Sequence, residues 1–339
     1  MAGETVLVTG GSGFIGGWCI IALLQQGYRV RTTVRSLSRE AEVRANLAKV
    51  VDAEDRLTFH AADLTADAGW DEAAAGCAYV LHVASPLGVS EPKDPNDLIV
   101  PAREGARRAV QAAMRAGVRR VVLTSSVAAT SKPPVGDTVA DETVWTDPTQ
   151  AWATSYARSK TLAERMAWDL IGQGDGTTTL ATVNPSVVLG PVLSGDYSDS
   201  VQVVERIVSG RIPGLPNVGF NLVDVRDVAD LHIRAMTAPQ AAGERFIAAG
   251  DYVWMRQMAQ LLHDQLGKDA IKAPLRSLPD LLVRLVALFD RDVGFIVPSL
   301  GRTRDFTSAK AQSMLGWRPR PWAETVVDCA RSLIREARV

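Results

Sequence analysis

Short apolar runs alternate with longer amphipathic ones through the first half of the chain. Residues 5–10, TVLVTG, form a continuous apolar run ending in glycine, which predicts a parallel strand buried on both faces. YRVRTTVR (28–35), RLTFHAAD (56–63), AYVLHVAS (78–85), VRRVVLTSS (118–126) and TTLATVNP (178–185) predict further strands. Helical runs lie between them. One covers 14–26 and is closed by Gly27; another covers 38–50, with Ser38 as its cap and Glu40 in its first turn. A long one covers 96–117, and another contains the stretch SYARSK. This β–α alternation predicts an α/β fold, a Rossmann-type doubly wound parallel sheet with right-handed crossovers.

After Pro185 the rhythm loosens. SVVLGPVLSGDYSDS reads as a Gly/Ser-rich loop, and GRIPGLPNVGF is punctuated by proline and glycine. LVDVRDVADLHIRAM predicts a strand end and a helix, ERFIAAG a late strand of the main sheet, and 254–339 is mostly helical. The pattern places a nucleotide-binding domain at 1–185 plus about 221–250, and a smaller, mostly helical substrate lobe at about 186–220 plus 251–339.

Composition narrows the options. A chain of 339 residues can bury a large core, and 37 basic against 38 acidic residues offer no electrostatic case for nucleic acid or an anionic membrane. Cys19, Cys77 and Cys329 are far apart, and the four histidines are isolated, so neither a disulfide framework nor a metal site is expected. The N-terminus lacks a signal-peptide pattern, and no apolar stretch is long enough to span a bilayer, so the expected location is the cytoplasm.

The first candidate chemistry is a phosphate cradle. VLVTGGSGFIGG sets Gly10, Gly13 and Gly16 between the first strand and the first helix, with Phe14 and Ile15 opening that helix. Glycines there permit a tight turn and close approach of backbone N–H groups to a pyrophosphate, which the helix N-terminus also favours. At the end of the second strand stands Arg35, where a site for NAD usually carries a carboxylate. A guanidinium suits a ribose 2′-phosphate, so the expected cofactor is NADP(H), the weaker alternative being that Arg35 is a solvated loop charge. Asp63 after the third strand could cap an adenine or simply begin a turn.

The second candidate is a pair. Tyr156 and Lys160, among five tyrosines and seven lysines, stand four residues apart and so share a helix face. Chance gives about 0.1 such pairs, so the spacing carries information. An ammonium near a phenol favours the phenolate and should lower the tyrosine pKa. Ser125 and Ser126 end a parallel strand, and one of them should face the cleft where ligands of open α/β sheets bind.

TVLVTGGSGFIGGW, YRVRTTVRS, VLHVASP, VVLTSSVAAT, SYARSKTLAE, NPSVVLGP, VDVRDVADLH and DFTSAKAQSMLGWRPR occur in this order. With them the chain resembles the extended short-chain dehydrogenases/reductases, in the branch of dihydroflavonol 4-reductase, cinnamoyl-CoA reductase and aldehyde reductases. The resemblance implies a catalytic set of Ser126, Tyr156 and Lys160. It implies that Tyr156 and Lys160 also contact the cofactor, that Arg35 selects the 2′-phosphate, and that Asp63 and Leu64 lie at the adenine. Val83, Ala84 and Ser85 would flank the cofactor, and Pro185 and Val188 would lie against the nicotinamide. Flavonoid-reducing members carry asparagine where this chain has Ser131, and cinnamoyl-CoA reductases carry an Asn-Trp-Tyr-Cys-Tyr block where it reads WATSYARSK. Microbial NADPH-dependent aldehyde and ketone reductases are therefore the closer analogue.

The expected function is reversible reduction of a small aldehyde or ketone by a monomer or homodimer. Its pocket would be largely apolar, formed by Pro86, Leu87, Val127, Val192, Leu193 and Phe220, and suited to aryl or alkyl carbonyls. The rival readings are a nucleotide-sugar epimerase or dehydratase, a hydroxysteroid dehydrogenase, or a sensor that binds NADP(H) without catalysis.

Overall fold

The computed structural model describes residues 3–86, 91–195, 197–270, 272–289 and 291–336. Strands β1 (Thr5–Thr9), β2 (Arg29–Val34), β3 (Leu57–Ala61), β4 (Tyr79–His82), β5 (Arg120–Thr124), β6 (Thr138–Ala140), β7 (Thr179–Pro185), β8 (Val187–Leu189), β9 (Gly219–Asp224), β10 (Arg245–Ala248), β11 (Tyr252–Trp254) and β12 (Arg304–Phe306) form three sheets. The largest has seven strands in the order β10-β7-β5-β4-β1-β2-β3, every pairing parallel. The order reverses direction between β1 and β4, the switch point where open α/β sheets bind ligands at their strand C-termini. β11-β9-β8 form a second sheet, and β12 pairs with β6.

Side-chain alternation builds the layers. Val6 and Val8 of β1 enter one hydrophobic core while Leu7 enters the other, so both faces of the strand are covered. Helices α1 (Phe14–Gln25), α2 (Glu40–Ala48), α3 (Trp70–Ala74), α4 (Asn96–Arg115), α5 (Ser155–Gly172), α6 (Asp199–Val208) and α7 (Val225–Thr237) supply those covers. Ala102, Ala106, Ala109 and Ala113 of α4 recur at helical spacing and are buried, and their small size lets α4 lie close to α5. Helices α8 (Met255–Leu266), α9 (Asp280–Val286), α10 (Arg291–Ile296), α11 (Ala309–Leu315) and α12 (Trp322–Arg335) complete the C-terminal part. It is tied to α7 by Trp317, whose Nε1 donates to the Asp227 carbonyl at 2.9 Å, and by Arg320 on the Asp227 carboxylate at 2.9 Å.

The central sheet agrees with the sequence pattern strand by strand, and β10 adds the late strand at its edge. Three details differ. Ser38 does not cap α2: the cap of the short turn before it is Ser36, whose hydroxyl accepts from the Ser38 backbone N–H, and α2 begins at Glu40. The stretch after Pro185 is not all loop, since β8 and α6 lie in it; their apolar positions become legible only against the partners that bury them. α3, β6 and β12 are too short to carry a periodic signal. Among the described residues no helix is long and apolar enough to cross a membrane, and no group of His, Cys, Asp and Glu could hold a metal ion.

Candidate active site

The turn between β1 and α1 is a cradle that requires glycine at several positions. Gly10 has φ +72°, and a Cβ on Gly16 would stand 2.3 Å from the Gly10 carbonyl oxygen. Gly13, the N-cap residue, donates its N–H to the Gly10 carbonyl at 2.9 Å, and no side chain caps the helix. Phe14 and Ile15 form the first turn of α1, with no acidic residue to compete for its N–H groups. Gly11 belongs to the same cradle, for its Cβ would meet Thr32 Oγ1 at 2.1 Å.

Thr9, at the end of β1, holds the neighbouring wall. Its Oγ1 accepts from the backbone N–H groups of Val83 and Ala84 at 3.0 and 2.9 Å. Its own hydrogen therefore goes to His82 Nδ1, 2.9 Å away, so His82 is the Nε2–H tautomer. Burial, assisted by the Lys160 charge, pushes the His82 pKa down to about 3 and keeps the ring neutral. Ala84 packs against Gly10, and Ser85 and Pro86 continue the segment half-buried.

Arg35 follows β2 and Asp63 follows β3, two strands in register through Val34 and Ala61. Arg35 is exposed and has no ion-pair partner among the described residues, which leaves its guanidinium available to a phosphate. Asp63 opens a turn: its Oδ1 accepts from the Thr65 N–H and hydroxyl at 2.8 and 2.6 Å, which holds the carboxyl below the usual carboxylate range, with Arg35 contributing. Leu64 packs on Gly105 of α4. The uncapped helix, the glycine cradle and the available guanidinium together fit a dinucleotide bearing a 2′-phosphate.

At the end of β5 the two serines part company. Ser125 Oγ turns inward and donates to Glu164 at 2.6 Å, while Ser126 faces a cavity of about 520 Å³. Tyr156, in the first turn of α5, faces the same cavity. Thr154 caps α5 by accepting from the Ala157 N–H, which fixes where that turn begins. Lys160 lies one turn on and is buried. Its Nζ is 6.0 Å from the Tyr156 ring centre and donates to the Thr124 carbonyl at 3.3 Å.

The titration of this trio corrects the expected direction. Burial raises the Tyr156 pKa, the Asp199 charge adds to that, and only the nearby Ser126 hydroxyl opposes it. Sequence spacing registers the Lys160 charge but not desolvation, which disfavours the phenolate. Lys160 is itself pushed down to about 8 by burial, with Glu164 opposing.

Glu164 is fully buried one turn beyond Lys160 and forms a hub. Its carboxylate pairs with Arg245 Nε of β10 at 2.7 Å and accepts from Thr182 Oγ1 at 3.0 Å and Asn184 Nδ2 at 2.9 Å. The same Asn184 amide donates to the Ser126 carbonyl at 3.2 Å. The ion pair therefore holds the backbone of Ser126, and Arg245 in turn stacks 3.7 Å from the centre of the Trp145 ring, which makes Trp145 a packing anchor. The i, i+4 spacing from Lys160 was the available sequence signal for Glu164.

The cavity lining differs from the expected one. Val127 and Phe220 face it, and Ser186 and Val187 line it between the buried Pro185 and Val188. Leu193 instead lies over the glycine turn against Gly17, and Val192 is buried, with its N–H donating to Ser332 Oγ. Pro86 is not among the lining residues, and Leu87 falls outside the described residues. The wall is mostly apolar, as expected, with polar groups added by Ser131, Thr154, Ser198, Asn221 and Arg304. Their contributing segments are scattered from 131 to 304, and no local pattern marks them.

Residues 6–249 match the model of the NAD dependent epimerase/dehydratase family. The chain is 36% identical over 251 residues to cinnamoyl-CoA reductase CAD2 of Medicago truncatula, covering 71% of this chain and 74% of that protein. It is 32% identical over 300 residues to dihydroflavonol 4-reductase of Zea mays, covering 86% and 83%. Its structure is similar to that of Gre2 from Candida albicans in complex with NADPH, with TM-score 0.79, 25% identity, and coverage of 98% and 99%.

Proposed function

The chain belongs to the NAD-dependent epimerase/dehydratase family as an NADP(H)-using oxidoreductase of the extended short-chain type, and we propose that it reduces a small aldehyde or ketone to the alcohol through Ser126, Tyr156 and Lys160. The observation that carries this reading is the convergence of Ser126 and Tyr156 on one cavity wall, with Lys160 buried behind them.

Bound NADPH supplies the hydride that reduces the carbonyl carbon. Its pyrophosphate would be held by the Gly10–Gly16 turn, its 2′-phosphate by Arg35, its adenine side by Asp63 and Leu64. Val83, Ala84 and Ser85 with Pro185 and Val188 would border its reactive end. The chain provides everything else. Tyr156, kept protonated by burial, gives its phenolic proton to the carbonyl oxygen as negative charge develops there. Ser126 Oγ accepts from the Ala128 N–H at 3.2 Å and keeps its own hydrogen to donate to the carbonyl oxygen. Lys160 stabilises the phenolate left behind, and its charge acts strongly because the lysine is buried. The contribution is positioning plus preorganised charge. Phe220, Phe306 and Val127 would cover the body of an aryl or alkyl substrate. Residues 1–185 with about 221–250 serve the cofactor in this reading, and the remainder shapes the substrate site.

NADPH consumption with a panel of aldehydes, ketones, β-keto esters and UDP-sugars tests the proposal. Turnover confined to carbonyl compounds supports it. Conversion of a UDP-sugar, followed by chromatography because it consumes no net NADPH, favours the epimerase or dehydratase alternative, and cofactor binding without any turnover favours the sensor. Tyr156→Phe should retain NADPH binding and lose reduction; retained activity would remove Tyr156 as the acid. Arg35→Asp should move preference toward NADH.

A further inference from the structure

Three charged side chains face the cavity among the described residues: Glu91, Asp199 and Arg304. The first two are satisfied within the protein. Glu91 accepts from the Ser155 N–H at 3.0 Å and from the Ser155 hydroxyl. Asp199 accepts from Gln202 Nε2 at 3.1 Å, and burial pushes its carboxyl above the ordinary range, toward the neutral form.

Arg304 is different. Its Nη2 donates to the Pro298 carbonyl at 2.9 Å, but its Nε is buried without an acceptor. No carboxylate among the described residues pairs with it. Asp305, its neighbour, spends its carboxylate on Asn221 Nδ2 at 2.7 Å and on the Phe306 N–H at 2.8 Å. Burial and the like charge of Arg302 both disfavour the charged guanidinium. A partly buried cation without a counter-charge costs free energy that a bound anion would recover.

The placement is fixed by a strand. Arg304 opens β12, paired with Thr138 of β6, and strand alternation puts Arg304 and Phe306 on the same, cavity-lining side. Ser186 and Ser198, also in the lining, each carry a buried hydroxyl without a partner. Groups lacking partners thus gather around the cavity whose reacting end holds Ser126 and Tyr156.

We propose that Arg304 is a specificity residue that binds a carboxylate on the substrate, so that the preferred class is oxo acids. The carbonyl lies at Ser126 and Tyr156, and the carboxylate sits on the guanidinium. This rests on the carbonyl-reduction reading above. A guanidinium donates two parallel N–H bonds to a carboxylate.

The test pairs each acid with its neutral analogue: benzoylformate, 3-benzoylpropionate and 4-benzoylbutyrate, each beside its methyl ester, followed by NADPH consumption. For the acid whose length spans the two sites, kcat/KM should exceed that of its ester by about tenfold or more. The gap should narrow in about 0.5 M salt. Arg304→Met should collapse the acid-to-ester ratio to near one, and Arg304→Lys should keep part of it. Calorimetry gives a readout independent of turnover: 4-phenylbutyrate should bind the wild-type protein with NADP⁺ about tenfold more tightly than it binds Arg304→Met. Esters matching or surpassing acids at every length in the wild type would overturn the proposal, as would a ratio that survives in Arg304→Met. Absence of turnover with every acid, ester and aldehyde would overturn the carbonyl-reduction reading instead, and the calorimetry would then decide the role of Arg304.

Discussion

Replacing Glu164 by glutamine preserves shape and removes one charge from the fully buried hub behind Ser126. The geometry leaves the amide no harmless orientation. An –NH₂ at the Oε1 position confronts Arg245 Nε at 2.7 Å; at the Oε2 position it confronts Asn184 Nδ2 at 2.9 Å. In either case a donor meets a donor, and Arg245, itself buried, loses its counter-charge. Removing one partner of a buried ion pair costs about 3–5 kcal/mol. For a chain of this size that corresponds to a drop in Tm of about 4–7 °C. The chemistry should suffer as well, because the Asn184 amide that serves Glu164 also holds the Ser126 carbonyl. A displacement of Ser126 by a fraction of an ångström should lower kcat by about 10–100-fold, with KM for NADPH little changed. Calorimetry and steady-state kinetics on Glu164→Gln measure both effects. The double variant Glu164→Met/Arg245→Met should recover much of the Tm without recovering kcat, because apolar groups can replace a buried pair but cannot hold Asn184. A single variant whose stability lies within about 1 kcal/mol of the wild type and which turns over normally would refute the hub, since removing one partner should leave the other as an uncompensated buried charge.

Lys160, pushed down to about 8 by burial, should lose its proton well before the raised Tyr156, so kcat/KM for NADPH should fall as pH rises through about 8; a flat profile to about pH 9.5 would contradict the assigned charge. The same shift has a stability consequence. A lysine whose folded value lies below its ordinary one binds fewer protons folded than unfolded between about 8 and 10.5, so its contribution to stability should improve as pH rises across that window. Gly16→Ala places a Cβ 2.3 Å from the Gly10 carbonyl, so NADPH binding measured by calorimetry should weaken by about tenfold or more; affinity within about threefold of wild type would show that the turn can relax. Thr9→Val removes the acceptor of the Val83 and Ala84 N–H groups at a cost of about 1–3 kcal/mol for each one left buried. Both a lower Tm and a higher KM for NADPH are expected, and an unchanged KM would separate that segment from the cofactor.

The parts legible in the sequence are those whose cause is local. Val6, Leu7 and Val8 announce a doubly covered strand because apolar residues in both phases of a period-two pattern leave no side for solvent. Gly10 and Gly16 announce a cradle because a turn between strand and helix tolerates nothing larger, and Tyr156 and Lys160 share a face because the helix repeats every 3.6 residues. The central sheet, the glycine turn and the shared helix face of Tyr156 and Lys160 all follow from such rules. What only the tertiary structure decided depends on neighbours distant in the chain. It turned Ser125 toward Glu164 and Ser126 toward the cavity, moved Leu193 over the glycine turn, and set Arg304 of a three-residue strand beside residues far earlier in the chain. It also reversed the expected titration of Tyr156, since sequence spacing reports which charge stands nearby but not how much water has been removed. Periodicity is encoded residue by residue, whereas desolvation and the composition of a cavity wall exist only once the segments have packed together.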